Sequence, residues 1–419
     1  MPLASRISSQ RDLLRLGLIG VGGYGARHLQ TMDFLPPSPG AQLVAVADPF
    51  RERYPLLEDR LSAKGVRWHL SMEQMLEAED LDAVVIAAPI PRHFAMAKLA
   101  LEKGLYVYLE KPPVPLIQQL EELIALDAGH RVIVGFQLIH SEPIRRVKQL
   151  ILDGHLGTIL SIRGGASAPR RQSYYQRASW AGKMMMNGEP VFDGPMTNAL
   201  AHVLQNIMYL GGGAGTEYAR PVTVRGELYR CAPIESYDSA CIAGTLDSGA
   251  EFAFAGTHAT TEILPHTLEI RGSKATVRLE GDRLVAPSAI SIDTAEPATA
   301  PLERSYLGFL RYMQQQDRAF AVKLPDTLGY TLATNGALVS SRGIHTISES
   351  CTQPYEVNGD QGLDVAELAP LISRCIETGA LFSDAGPDWA VPTQSIGVAN
   401  LRTLFLDEWT EETALSAAA

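Results

Sequence analysis

Five short apolar runs, separated by amphipathic or turn-forming stretches, organise the first third of the chain. Leu14–Ile19 is followed by glycines and then by helical spacing from about Gly23. QLVAVADP at 42–49, DAVVIAAP at 82–89, YVYLEKPP at 106–113 and RVIVGFQ at 131–137 repeat the pattern of a buried strand running into a turn. Between them, Ser71 with Gln74 three residues on is a capping-box signature and predicts a helix over 72–78. His93–Glu102 and Leu116–Ala128 also have helical spacing. Strands that are apolar along nearly their whole length, alternating with helices, indicate a parallel sheet covered on both faces. This alternation spans residues 12–136.

Beyond it the period changes. Ile144–Leu152 predicts a helix, a strand follows near Ile159–Arg163, and Thr197–Leu210 predicts another helix. VTVRGELYR (222–230), CIAGTL (241–246), EFAFAGT (251–257), HTLEIRG (266–272) and ATVRLEG (275–281) alternate with period two. They predict a mostly antiparallel sheet. Residues 285–301 have loop or edge character, and helices are expected again at Tyr306–Lys323 and Thr327–Arg342. The division that follows is a lead-in (1–11), an α/β domain (12–136), an α+β domain (137–405) and a tail (406–419).

With 419 residues and 46% hydrophobic composition the chain is long enough for two cores. Its formal net charge of −11 argues against a nucleic-acid partner. Its four cysteines have neither zinc-site nor disulfide-framework spacing, which suits a reducing, cytoplasmic setting. No proper signal peptide is read at the start, and no segment is apolar enough to span a membrane.

The first turn carries the clearest chemistry. Gly20, Gly22 and Gly25 form G-x-G-x-x-G between a strand and a helix, with Gly23 and Tyr24 inside the turn. The first glycine permits the tight turn, the second lets a pyrophosphate approach the backbone, and the third lets helix and strand pack closely. The helix start then offers N–H groups to phosphate. Asp48 closes the next strand, where a carboxylate accepts from ribose hydroxyls and repels a 2′-phosphate. NAD is therefore favoured over NADP, although Arg51 and Arg53 leave NADP open. A glycine turn serving another nucleotide, or none, is the competing interpretation.

An ordered set of motifs resembles the glucose–fructose oxidoreductase, inositol dehydrogenase and MocA family: GLIGVGGYG at 17–25, VADP at 46–49, AAPIPRHFAMAKLALEKGLYVYLEKP at 87–112 and VGFQ at 134–137. LILDGHLGTI and LEIRGSKATV add support. The resemblance implies an N-terminal Rossmann domain, and then a domain built on a large, mostly antiparallel open sheet. It implies NAD(P)-dependent redox chemistry on a sugar, cyclitol or sugar derivative, with homo-dimers or homo-tetramers formed through the sheet. It also makes Lys111 of Glu110-Lys111-Pro112 catalytic, with Pro112 often cis, and sets Pro89, His93 and Glu110 beside the cofactor.

The second cluster is DGPMTNALAHVLQN at 193–206. Asn198, His202 and either Gln205 or Asn206 fall at helical spacing on an otherwise apolar helix. His202 is the candidate general base because imidazole titrates near neutrality. Asp193 and Asn198 are candidates for holding the substrate or orienting that base. The family's common pattern is D-x-G-x-H-x-x-D. Aligned on Asp193, it puts Thr197 at the histidine and Leu200 at the last acid, so His202 is off that register. An N-x-x-x-H variant fits Asn198 and His202. Arg170, Tyr174, Tyr175, Arg177, Trp180 and Lys183 are the residue types that line sugar sites, and Arg170 or Arg171 is suited to a substrate carboxylate or phosphate. A packed loop or an oligomer contact would use the same residues. His258 and His266 are poor metal ligands by spacing, and no metal is expected.

The expected function is hydride transfer between NAD(P) and a hydroxyl carbon of a sugar-like molecule. Two alternatives stand beside it. One is an enzyme that retains NAD and catalyses net epimerisation, elimination or glycoside cleavage through a keto intermediate. The other is a non-catalytic NAD- and sugar-sensing protein.

Overall fold

The computed structural model describes residues 13–33, 40–212, 218–285, 292–293, 296–314 and 321–405. The expected lead-in and tail lie outside the described residues. The chain divides into two compact units. The first holds the described residues up to Val114, Gln119–His140 and Ala298–Pro325; the second holds Pro115–Gln118, Ser141–Pro297 and the described residues from Asp326.

In the first unit β1 (Leu14–Ile19), β2 (Ala41–Ala47), β3 (Arg67–His69), β4 (Ala83–Ile86), β5 (Tyr106–Leu109) and β6 (Val132–Val134) form a parallel sheet in the order β3-β2-β1-β4-β5-β6. The order reverses beside β1, which is where doubly wound sheets open a ligand crevice at their carboxyl ends. The helices are α1 (Gly25–Asp33), α2 (Pro55–Ala63), α3 (Met72–Ala78), α4 (His93–Glu102) and α5 (Ile117–Leu126). Ser71 Oγ accepts from Gln74 N at 3.3 Å, and Gln74 Oε1 accepts from Leu70 N at 3.2 Å, so the expected cap forms one residue wider than a strict box.

One face of this sheet is closed by a distant segment. Tyr306, Phe309, Leu310 and Met313 pack with Leu16, Leu18, Val85, Tyr108 and Ile133. Their helix spans Ala300–Met313, whereas the sequence predicts one over 306–323. Pro301 and Leu302 belong to its buried face, so the helix starts earlier than the expected range.

The second unit begins with α6 (Glu142–Leu152) and β7 (Ile159–Ser167). After α7 (Gln172–Gln176) and the small hairpin β8 (Met185–Met186) and β9 (Glu189–Pro190) comes α8 (Ala201–Gly211). The antiparallel strands are β10 (Pro221–Arg230), β11 (Ser239–Leu246), β12 (Glu251–Thr257), β13 (Thr267–Gly272), β14 (Thr276–Glu280), β15 (Arg283–Val285) and β16 (Ile292–Asp293). With the late strands β17 (His345–Thr346) and β20 (Ile396–Gly397), the described residues make a ten-stranded sheet in the order β16-β15-β14-β13-β7-β12-β11-β10-β17, and β20 also pairs with β10. The pairs β7–β12 and β10–β17 are parallel, and the rest of the sheet is antiparallel. The hairpin β18 (Gln353–Val357) and β19 (Asp360–Asp364) stands apart.

Strand β7 runs four residues past its predicted end because its middle is Gly164-Gly165. A Cβ on Gly164 would lie 2.9 Å from Val203 of α8, and one on Gly165 would lie 3.0 Å from Ile372 on the opposite face. The missing side chains let helices approach both faces, which is why the strand does not look like one in the sequence. The helix Ala300–Met313 of the first unit is α9; in the second unit α8 is accompanied by α10 (Leu328–Ser341), whose Ala337 Cα would sit 2.6 Å from a Cβ on Gly226.

The opposite face is covered by α11 (Leu368–Thr378), α12 (Phe382–Ala385) and Trp389. Leu368, Leu371, Ile372, Cys375 and Ile376 repeat at helical spacing and pack over Tyr229, Cys241, Ala253 and Ala255. Sequence analysis did not assign this helix. Buried Glu227 anchors the cover, accepting from Tyr229 OH (2.9 Å), Ser383 N (3.1 Å) and Ser383 Oγ (2.5 Å). No helix among the described residues is long and apolar enough to cross a membrane. Ile372→Ala removes the side chain between α11 and Gly165; the expected loss is about 2–5 kcal/mol of unfolding free energy, measured by urea denaturation.

Candidate functional site

The first unit's ligand edge is built by the turns after β1, β2, β4, β5 and β6. Three of the signature glycines are dictated by close approach. Gly20 has φ +84° and a Cβ there would lie 2.7 Å from Ala87 O; a Cβ on Gly25 would lie 2.1 Å from Gly20 O; one on Gly22 would lie 2.3 Å from Tyr54 Oη. A Cβ on Gly23 would meet nothing within 4 Å, so the turn is open on that side. Asp48, buried at the end of β2, accepts from Val21 N (3.1 Å) through Oδ2 and from Phe50 N (2.9 Å) through Oδ1. Each oxygen keeps a second lone pair for a ribose hydroxyl. The open turn, the helix start and this acid together fit a dinucleotide. The two arginines that would answer a 2′-phosphate are engaged elsewhere. Arg51 pairs with Glu58, and the Arg53 guanidinium lies 4.0 Å from the Phe50 ring centroid.

Glu110 and Lys111 follow β5, and the Lys111–Pro112 peptide is cis, as the resemblance implied. Glu110 is buried. Its Oε1 lies 3.1 Å from His28 Nε2, its Oε2 accepts from Lys111 N at 3.1 Å, and a Cβ on Gly135 would come within 2.7 Å of Oε1. His28 Nδ1 continues the chain to Tyr306 Oη at 2.6 Å. Burial first, and then the nearby Glu110 charge, raise the Tyr24 and Tyr108 hydroxyls far above their ordinary range. Tyr24 Oη accepts from Gln137 Nε2 at 2.5 Å. Pro89 opens the short turn Ile90–Arg92. His93 is buried, with Nδ1 2.9 Å from Pro112 O and Nε2 2.9 Å from Ala88 O. Its ring spans the turns after β4 and β5, and burial lowers its pKa. It braces the edge through main-chain carbonyls.

The second unit groups the other candidates. Asp193, 2% exposed, accepts from Gly182 N (2.8 Å) and Asn198 Nδ2 (2.8 Å), and Arg177 Nη2 lies 3.8 Å away. Asn198 sits on a π-helical turn, Pro195–Ala199, closed by Leu200 N donating to Pro195 O at 2.7 Å. The expected helix over 197–210 is therefore broken at Leu200, and α8 starts at Ala201. Wide turns of this kind are frequent at functional sites. His202 lies buried in the first turn of α8, with Gln205 and Asn206 beyond it. Gln205 Oε1 and Asn206 Oδ1 are buried without a hydrogen-bond partner among the described residues. Thr197, which falls at the family's usual histidine position, is committed to structure: its Oγ1 lies 2.8 Å from Tyr237 Oη and also bonds Phe192 O.

Arg170, Tyr175 and Trp180 gather around Tyr174. The Arg170 and Arg177 guanidinium carbons lie 4.4 and 3.5 Å from the Tyr174 ring centroid, and Arg177 also lies 4.9 Å from that of Trp180. Tyr175 Oη is 3.4 Å from His258 Nδ1. Arg171 is occupied by Asp360 at 3.2 Å, and Lys183 pairs with Glu235. Sequence analysis missed His28, Gln137, Tyr237 and Tyr306. His28 was accessible to it, one helical turn after Tyr24; the others are brought in by tertiary packing alone. Among the described residues no group of three or more His, Cys, Asp or Glu is arranged to hold a metal.

A family model described as "Oxidoreductase family, NAD-binding Rossmann fold" matches residues 14–137, and one described as "GFO/IDH/MocA C-terminal domain" matches 144–278. The chain belongs to the Gfo/Idh/MocA oxidoreductase family. It is 33% identical over 155 residues to an inositol 2-dehydrogenase of Streptomyces avermitilis, covering 36% of this chain and 44% of that protein. The chain thus matches less than half the length of this curated relative. Among solved structures it resembles the WlbA dehydrogenase of Bordetella pertussis, in complex with NADH and UDP-GlcNAcA (24% identity, TM-score 0.65, 78% of this chain and 96% of that one). It also resembles myo-inositol 2-dehydrogenase of Lactobacillus plantarum (21% identity, TM-score 0.63, 78% and 97%). At these identities the structures establish the fold, a Gfo/Idh/MocA pairing of an NAD-binding domain with an open-sheet domain.

Two expectations follow for this family member. Gly25→Ala places a methyl against Gly20 O, so NADH binding weakens about tenfold or more in a fluorescence titration, since a misplaced pyrophosphate contact costs over ~1.4 kcal/mol. The second concerns acid. Burial, with Arg170 and Arg177 adding to it, lowers the His258 pKa to about 3. The unfolded chain therefore binds a proton near pH ~6.5 that the native state refuses. Stability is full above that pH and falls as pH drops toward 3; His93 and His266, also lowered, act in the same direction. In His258→Gln the plot of unfolding free energy against pH becomes shallower between pH ~6.5 and ~4.

Proposed function

We propose that the protein is an NAD-dependent oxidoreductase acting on a hydroxyl-bearing carbon of a sugar, cyclitol or related polyol. The observation that carries this reading is the place of Lys111. It follows β5 on the same sheet edge as the glycine turn, directly after a carboxylate locked by His28 and its own amide. A bound NAD supplies a two-electron hydride acceptor. Lys111 Nζ donates to the substrate hydroxyl oxygen and stabilises the negative charge that builds there. With NAD bound as the two-electron acceptor, His202 would take the hydroxyl proton, the balance being a secondary alcohol converted to a ketone with one proton released. Asp193 fixes the Asn198 amide through its Nδ2, and Asn198 is assigned to orient a hydroxyl or the base. Tyr175, Trp180 and Arg170 supply the aromatic and cationic wall that sugar rings use.

The test is a spectrophotometric assay of reduced nicotinamide with a panel of hexoses, hexuronates and cyclitols. Turnover is expected with NAD, with NADP weaker because of Asp48. Lys111→Met and His202→Ala are each expected to lower kcat about 100-fold or more, the scale of a lost proton-transfer group. Undiminished turnover in both variants would overturn these roles.

A further inference from the structure

In the aromatic and cationic wall of the second unit Arg177 faces Asp193 at 3.8 Å while Arg170 has no ion-pair partner among the described residues, and this distinguishes it from an ordinary sugar-stacking surface. We propose that Arg170, Arg177 and His258 form a recognition site for an anionic group, a carboxylate or a phosphate, carried by the sugar-like substrate. This rests on the reading of the second unit as the substrate unit and narrows the substrate to acidic sugars.

The surrounding cations show what a structural arginine does here. Arg171 is held by Asp360, Arg163 caps the end of α11 at Glu377 O (2.7 Å) and Lys183 is held by Glu235. Arg170 has no such partner. Among the described residues no carboxylate lies within ion-pair distance of it; its Nη1 reaches Pro169 O at 3.4 Å, its guanidinium also engages Tyr174, and its Nε is buried with no hydrogen-bond partner. A guanidinium with a buried, unused N–H costs desolvation energy that an anionic ligand recovers. The Tyr174 ring between the two guanidinium groups fixes their spacing without neutralising either.

His258 adds the second unused group. It is 2% exposed, and its Nε2 is buried without a partner. Arg170 N donates to His258 O at 3.0 Å, which ties the two residues together. Tyr175 keeps its phenolic proton because burial raises its pKa, so it can donate to Nδ1; the neutral ring then carries its hydrogen on Nε2 and is a donor. The nearby acids are already used. Asp238 accepts from Cys231 N and Ala232 N at 2.8 Å each and from Ser239 Oγ. Asp193 is held by Gly182 N and Asn198, with Arg177 at 3.8 Å. Through Asp193 the cluster is linked to Asn198, so an anion held by the arginines belongs to the same molecule that Asn198 would orient.

The test compares glucose, glucuronate and glucose 6-phosphate by calorimetry on the full chain saturated with NADH. At least one of the two acids is expected to bind ten times more tightly than glucose, and which one does so identifies the group. That affinity is expected to fall with added salt while glucose binding does not. Arg170→Gln and Arg170→Lys are expected to reduce the acid-to-glucose affinity ratio at least tenfold and threefold. Arg171→Gln, beside it but paired with Asp360, is the control that leaves the ratio unchanged. Equal binding of all three compounds, no binding of either acid, or a ratio unmoved by both Arg170 variants overturns the proposal. If the variants fail to fold, the salt dependence of the unmodified protein decides. Acid binding without turnover leaves the anion site standing and sinks only the redox reading; turnover of glucose with indifference to the acids does the reverse.

Discussion

The buried carboxylate of Glu110 is the joint on which the cofactor edge closes. One oxygen meets His28 of α1, the other holds the amide of Lys111, and Gly135 after β6 has no side chain because a methyl would overlap the carboxylate. His28 passes the link on to Tyr306, on a helix 278 positions later in the chain. A charge buried this deeply is tolerated only while its partners stay in place, since removing one leaves the other groups unpaired in a low-dielectric site. The consequence is geometric. The helix that starts at the phosphate turn, the strand that ends at Lys111 and the helix that closes the sheet cannot shift independently. His93 adds a second brace by spanning Ala88 O and Pro112 O.

The second unit solves a different problem. A wide sheet has two faces to cover, and this chain covers both with its own helices. Gly164-Gly165 and Gly226 thin the sheet where α8, α10 and α11 press against it. Glu227 then fastens the late segment through Tyr229 and Ser383. The sheet face under α11 includes the small side chains of Cys241, Ala253 and Ala255 beside Tyr229. Small residues on a sheet face permit close packing by a helix.

Within the second unit, polar groups are unevenly satisfied. Asp193, Asp238 and Glu227 each accept two or more hydrogen bonds, and Thr197 is absorbed into packing with Tyr237. Gln205, Asn206, Arg170 and His258 retain buried atoms with no hydrogen-bond partner among the described residues. Native interiors rarely leave such atoms unused.

The sequence by itself determined the local grammar. The strand over Leu14–Ile19 and the helices at 72–78 and 93–102 rest on neighbours within a few residues, where periodicity and capping act directly, and the glycine turn with Asp48 and the Lys111–Pro112 turn were legible as motifs. The family followed from the same short motifs. What depended on distant contacts was decided only by the fold. Gly164-Gly165 reads as a loop until helices are present on both faces. The helix at 300–313 takes its apolar face from a sheet built by the first 134 residues. The π-turn at Pro195–Ala199 displaces Asn198 from the regular helical spacing that the sequence suggested. The contrast between Arg170 and Arg171, adjacent and chemically identical, is the sharpest case: Asp360 neutralises one and not the other, and only the folded chain brings Asp360 near.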